Sequence, residues 1–173
     1  MTHLHTIEIP ALKGTKVIAD SKLFSYIDPD FKNWSADKKG KATKKMKLDV
    51  FEMDKDATLA EMMSPDNLLT QEQILYLVEN HKDLLHPDGY ATLFPFKSGE
   101  EVFVVNVYVH GVGRLGVDAY RLSRDDVWYA GDRHRIVIPK ITSKEKSEIR
   151  TFDLTLSSSE REALKGVLTK LLK

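Results

Sequence analysis

Residues 90–139 confine this chain to a fold built on a sheet. The run Tyr90-Ala-Thr-Leu-Phe-Pro-Phe96 is followed by Lys-Ser-Gly-Glu-Glu and then by Val102-Phe-Val-Val-Asn-Val-Tyr-Val109. Two apolar runs of strand length joined by a short glycine-bearing turn have the spacing of an antiparallel hairpin. Residues 117–122 then set Val117, Ala119 and Arg121 against Asp118, Tyr120 and Leu122, which extends the hairpin into a meander. Within residues 102–110, Phe103, Val105, Val107 and Val109 share one face, and Val102, Val104, Asn106, Tyr108 and His110 share the other. Both faces begin apolar, so this strand is expected to be central and covered on both sides at that end. At its far end one face turns polar, and a pocket is expected to open there.

The chain has 173 residues, 42% of them hydrophobic, enough to bury one core. Residues 1–173 are read as a single α+β domain. Basic and acidic side chains balance at 26 each, so no global field draws the protein to nucleic acid or to an anionic membrane. The absence of cysteine excludes disulfides, a thiolate zinc site and a cysteine nucleophile. The N-terminus lacks a basic and apolar leader pattern, and no eighteen apolar residues run uninterrupted. The expectation is a cytoplasmic protein with no membrane partner.

Three segments carry helix signals. Thr58-x-x-Glu61 opens a short helix that Ser64-Pro65 closes. Thr70-x-x-Gln73 is a second capping box, followed by Ile74, Leu77, Val78, His81, Leu84 and Leu85 on one stripe, which predicts an amphipathic helix over residues 70–86. Ala163, Leu164, Val167, Leu168, Leu171 and Leu172 predict a C-terminal helix over residues 158–172, docked on its own sheet or serving as a seam for self-association or a protein partner. Helices on one face of a mainly antiparallel sheet, with the meander over residues 90–139, is the expected architecture. At the other end, residues 4–9 alternate up to Pro10 as an edge strand, and residues 46–50 alternate until the phase slips at Phe51.

Among motifs, Gly111-Val-Gly113-Arg-Leu-Gly116 has the spacing of a dinucleotide fingerprint directly after a strand. That chemistry needs a helix next, whereas the alternation of residues 117–122 calls for a strand, so a glycine-rich hairpin turn is preferred and no cofactor is expected. Residues 32–45 are lysine-rich and are read as an exposed loop. Lys38, Lys39, Lys41, Lys44 and Lys45 near Trp34 combine phosphate neutralisers with a stacking ring, the equipment of a single-stranded nucleic-acid contact. Arg133 and Arg135, alternating across His134 beside Trp128 and Tyr129, are expected to point to one side of a strand, gripping an anion or pairing with Asp125, Asp126 and Asp132. The six histidines lack a zinc-ligand spacing, and no metal is expected. Asp28-Pro29-Asp30 reads as turn chemistry before a carboxylate pair.

The run Leu69-Thr-Gln-Glu-Gln-Ile74, with Asn80-His81, Gly89-Tyr90-Ala-Thr, Val127-Trp128, Arg133, Arg135 and Ile136-Val-Ile-Pro139, resembles a group of small uncharacterised bacterial proteins. The resemblance implies a bacterial cytoplasmic origin and carries no catalytic or binding residue across.

Three functions remain. The preferred one is a non-enzymatic binding or interaction protein using a surface of Trp128, Arg133, Arg135, Tyr108 and His110, or the C-terminal helix. The second is nucleic-acid binding through the lysine loop, which requires the loop lysines and both arginines on one surface. The third is an enzyme near the glycine turn of residues 111–116, assembled from His110, Tyr108 and Asp118.

Overall fold

A computed structural model describes residues 1–140 other than Asn67 and Val112. The helix expected over residues 158–172 lies outside the described residues. In chain order the strands are β1 (Thr2–Ile9), β2 (Tyr26–Ile27), β3 (Met46–Glu52), β4 (Thr92–Ser98), β5 (Glu101–His110), β6 (Arg114–Arg121) and β7 (Arg135–Pro139). The α-helices among the described residues are α1 (Asp30–Asn33), α2 (Leu59–Met62) and α3 (Gln71–Asn80).

All seven strands form one sheet in the order β1-β3-β7-β4-β5-β6-β2. The α+β class stands, but the sheet is mixed rather than mainly antiparallel: β4 pairs with β7, and β2 with β6, in parallel. The meander is real only from β4 to β6, where Phe94 faces Val105 and Val105 faces Ala119. It does not continue into β7 because the edge of β6 is taken by β2. Residues 122–134 instead cross one face of the sheet, pinned where Ala57 and Trp128 exchange backbone hydrogen bonds of 3.1 and 2.9 Å. That crossing is what a parallel return requires, and it delivers β7 between β3 and β4. At the other edge β1 pairs with β3, and the register slip read at Phe51 falls on the partner strand between His3 and His5.

The alternation of β5 sorts the core into two layers. Phe103, Val105 and Val107 join Phe94, Phe96, Val117 and Val137 under α3, together with Ile18, Phe31, Ile74, Leu77 and Val78. On the opposite face Val104, Leu93 and Ile136 pack against Met53, Leu59, Met62 and Met63, with Tyr120 and Trp128 alongside. Full removal of each large aliphatic or aromatic side chain from water contributes roughly 1.5–3 kcal/mol, so both layers count toward stability.

Both capping boxes form. Thr58 accepts from the Glu61 amide at 3.4 Å while Glu61 accepts from the Thr58 amide at 2.7 Å, and Thr70 and Gln73 repeat the exchange at 3.3 and 2.8 Å. The helix read over residues 70–86 is shorter, ending at Asn80. Asn80 turns its side-chain amide back to the Tyr76 carbonyl at 2.8 Å, and His81 leaves helical geometry at φ −134°, ψ 60°. A 3-10 turn at Lys82–Leu84 still buries Leu84 and Leu85 on the expected face.

The first turn of α3 is polar yet buried. Gln71 accepts from the Ile18 amide at 3.0 Å and donates to the Lys38 carbonyl at 2.9 Å, and Glu72 accepts from the Thr15 amide at 2.7 Å. These bonds satisfy backbone groups that would otherwise be stranded in a loop. The lysine-rich stretch is therefore exposed through its side chains while its backbone is tied to the core. Ser98 adds a second tie, accepting from the Lys38 amide at 3.1 Å and donating to the Ser35 carbonyl at 3.0 Å.

Candidate functional site

The hairpin of β5 and β6 fixes which polar side chains meet. Its register sets Val104 opposite Tyr120, Asn106 opposite Asp118, and Tyr108 opposite Gly116. Parallel pairing of β2 with β6 then brings Tyr26 beside Gly116. Asp28, just beyond β2, accepts from the Ala119 amide at 3.4 Å. The result is two rows across one end of the second face, Tyr108–Gly116–Tyr26 and Asn106–Asp118–Asp28.

Asp118 is the centre of this cluster. Its carboxylate accepts from the Tyr108 hydroxyl at 3.4 Å, the Tyr120 hydroxyl at 3.3 Å and the Asn106 side-chain amide at 3.5 Å. Burial first, and then the Asp28 carboxylate, hold its pKa above the ordinary carboxylate range against the lowering effect of those three donors. Burial, followed by the charge of Asp118, pushes the Tyr108 phenol up to about 12. The same causes raise Tyr120. Tyr26 is raised by desolvation and then by Asp28 and Asp118. The hydroxyls thus stay protonated donors at neutral pH, and they face two neighbouring carboxyl groups. Among the described residues neither Asp28 nor Asp118 forms an ion pair.

Two more features mark the site. Asn106 is only 8% exposed, and its side-chain oxygen Oδ1 has no hydrogen-bond partner among the described residues. Unsatisfied buried acceptors are infrequent in folded proteins. The rings of Tyr120 and Trp128 meet edge to face at 5.6 Å, and the Arg124 guanidinium lies 4.8 Å from the Tyr120 centroid, so this ring already attracts a cation.

The sequence-predicted residues divide. Tyr108 and His110 stay together, their rings 4.9 Å apart, and Asp118 joins them through Tyr108. Trp128 lies at the border of the cluster, half-buried against the second core layer. Arg133 and Arg135 do not form a pair. Arg133 sits in left-handed geometry at φ 52° after the turn Ala130–Asp132, so the strand alternation that would align it with Arg135 has not begun. Its guanidinium holds Glu52 at 2.8 and 2.9 Å. Arg135 instead donates from one terminal nitrogen to the Asp83 and Leu85 carbonyls at 2.7 and 2.8 Å. Of the nearby acids, Asp126 pairs with Arg124 and Asp132 with His134.

The lysine loop occupies a different place. Lys38 is tied to Ser98 at one end of β4, while Arg135 pairs with Thr92 at the other, roughly 20 Å away at strand rise. The shared basic surface expected for nucleic acid is absent among these residues. Trp34 is half-buried against the first core layer with Arg121 5.2 Å from its ring centroid, and Lys45 holds Glu8 at 2.7 Å. The glycine motif is a hairpin turn followed by β6: the Gly113 amide donates to the His110 carbonyl at 2.8 Å, with Gly113 at φ 75°.

Three participants were missed as site residues: Tyr26, Asp28 and Tyr120. Tyr120 was legible, because closing the hairpin through the glycine turn sets it opposite Val104. Tyr26 and Asp28 were not, since nothing local announces a parallel strand some ninety residues away in sequence. Among the described residues no three His, Asp or Glu side chains converge as metal ligands, and no helix is long and apolar enough to cross a membrane. The chain matches no protein-family model, no curated protein and no solved structure.

Proposed function

We propose that the protein is a non-enzymatic binding protein whose second sheet face receives a cationic group, an ammonium or a guanidinium, from a ligand or partner protein. The carrying observation is the Asp118 carboxylate, lined by the hydroxyls of Tyr108 and Tyr120 and set beside Asp28 with no basic partner among the described residues. Burial, and after it the neighbouring Asp28 carboxylate, raises the pKa of Asp118, and a bound cation offsets both. Phenol rings next to carboxylates attract organic cations through their faces as well as through charge. A catalytic version of the same cluster is less well supported, because a phenol held near 12 is a poor base and a poor nucleophile at neutral pH.

The test is a titration with N-acetyl-arginine amide and N-acetyl-lysine amide, followed by the backbone amide resonances of β5 and β6. Saturable shifts centred on Asn106, Tyr108 and Asp118, absent with N-acetyl-norleucine amide and lost in Asp118→Asn, are expected. Equal response to the neutral analogue would overturn the reading.

A further inference from the structure

On the opposite face of the sheet, a groove of about 490 Å³ opens between the end of α3, the segment leading into β2 and the β5–β6 turn. Its floor is apolar: Leu23, Phe24, Val78, Leu85, Val109 and Leu115. Lys22, Lys82 and Arg114 stand along it, no acid lines it, and none of the three cations forms an ion pair among the described residues. A second hollow of about 300 Å³ shares Lys22 and Leu23 and runs on toward Leu75, with Lys16 and Glu79 at its edge.

We infer that this groove binds a medium-chain aliphatic carboxylate, its head among Lys22, Lys82 and Arg114 and its tail along the apolar floor. The volume falls within the range of small-molecule sites, which are mainly apolar with a few convergent polar groups. An uncharged apolar ligand would leave three cations idle at the rim, and a small inorganic anion would leave the floor wet. An amphiphile with one anionic end answers both. The site is independent of the Asp118 cluster, which projects from the other side of the sheet.

The experiment is isothermal titration of the whole chain with butanoate, hexanoate, octanoate and decanoate below their micelle concentrations, with decanol as the uncharged control. Affinity is expected to rise roughly threefold to fourfold per added methylene while the tail remains in the groove. In the surface variant Lys22→Ala/Lys82→Ala/Arg114→Ala, decanoate is expected to weaken about tenfold or more while decanol is unaffected. Side-chain methyl resonances of Leu23, Val78 and Leu115 should shift, and Asp118→Asn should bind decanoate like the parent protein. A flat chain-length series, or equal binding of decanoate by the triple variant, would overturn the inference. Binding to vesicles of mixed phosphatidylcholine and phosphatidylglycerol without binding to decanoate would assign the groove to a membrane surface and overturn it as well.

Discussion

Tyr108 lies across Gly116 on the neighbouring strand, so close that a Cβ on the glycine would meet the tyrosine Cζ at 2.5 Å and its hydroxyl at 2.7 Å. The missing side chain is what lets the ring fold over β6 and send its hydroxyl to Asp118 at 3.4 Å. An aromatic ring covering a cross-strand glycine also shields a stretch of sheet that would otherwise be bare. Gly116→Ala is therefore expected to displace Tyr108, destabilising the fold by about 1–3 kcal/mol. In Tyr108→Ala the same glycine change should be nearly silent. Urea denaturation of the two single variants and the double variant gives the coupling directly.

Asp118 titrates in the opposite sense from a salt-bridged carboxylate. Its folded pKa is raised, so its contribution favours folding below the unfolded carboxylate value and is lost as pH rises through the folded value. Asp118→Asn removes that dependence. The difference in urea midpoint between Asp118→Asn and the parent should shift in favour of the variant on going from acid to neutral pH, whatever its sign at low pH. The same variant should bind arginine amide at least about tenfold more weakly, the effect of deleting one charge-assisted contact. A pH-independent difference between the two proteins would remove the claim that Asp118 is held against ionisation.

His86 and His134 behave conversely. Burial comes first among the causes that lower both, with the charge of Arg135 next at His86, while Asp132 opposes the shift at His134. His134 also accepts from the Ala91 amide at 3.2 Å through its Nδ1, a bond that requires that nitrogen to be unprotonated. With folded pKa values below 6.5, their contribution is present above the unfolded value and is lost as pH falls through the folded one. The urea midpoint should drop between pH 7 and pH 5, and the drop should shrink in His134→Gln.

The two arginines of the β7 approach should separate sharply under mutation. Arg135 holds two backbone carbonyls, and Arg135→Ala is expected to cost about 2–3 kcal/mol, in the range for charge-assisted bonds whose acceptors are left unmet. Arg133 makes an exposed ion pair with Glu52 and adopts positive φ. Arg133→Gly loses no more than about 1 kcal/mol from the pair and relieves the left-handed strain. Thermal denaturation of both variants checks the contrast.

Replacing Lys38, Lys39, Lys41, Lys44 and Lys45 together by alanine should leave the fold intact, since it is the backbone of this stretch that ties it to Gln71 and Ser98. Fluorescence anisotropy with labelled single-stranded RNA at low salt is expected to register little binding by the parent protein, and no further loss in the variant. Tight, steeply salt-dependent binding that the variant abolishes would restore the lysine loop as the functional surface.

Local pattern alone determined a good deal here. The alternation around Phe103 and Val104 placed β5 in the interior of the sheet, and the two capping boxes placed the starts of α2 and α3. The glycine turn was legible as a hairpin because the residues after it alternate with period two, and that closure set Tyr108 and Asn106 near Asp118. Such features depend on neighbours within a dozen positions, where dihedral preference and side-chain period decide the outcome. Tertiary structure decided the rest. The parallel seating of β2 supplied Tyr26 and Asp28, the crossing of residues 122–134 sent β7 to β4 and separated Arg133 from Arg135, and the buried Gln71 pinned a loop that composition alone would leave in solvent. Each of these depends on which distant backbone edge or apolar surface is still unsatisfied once the local elements have formed, and that is a property of the assembled core.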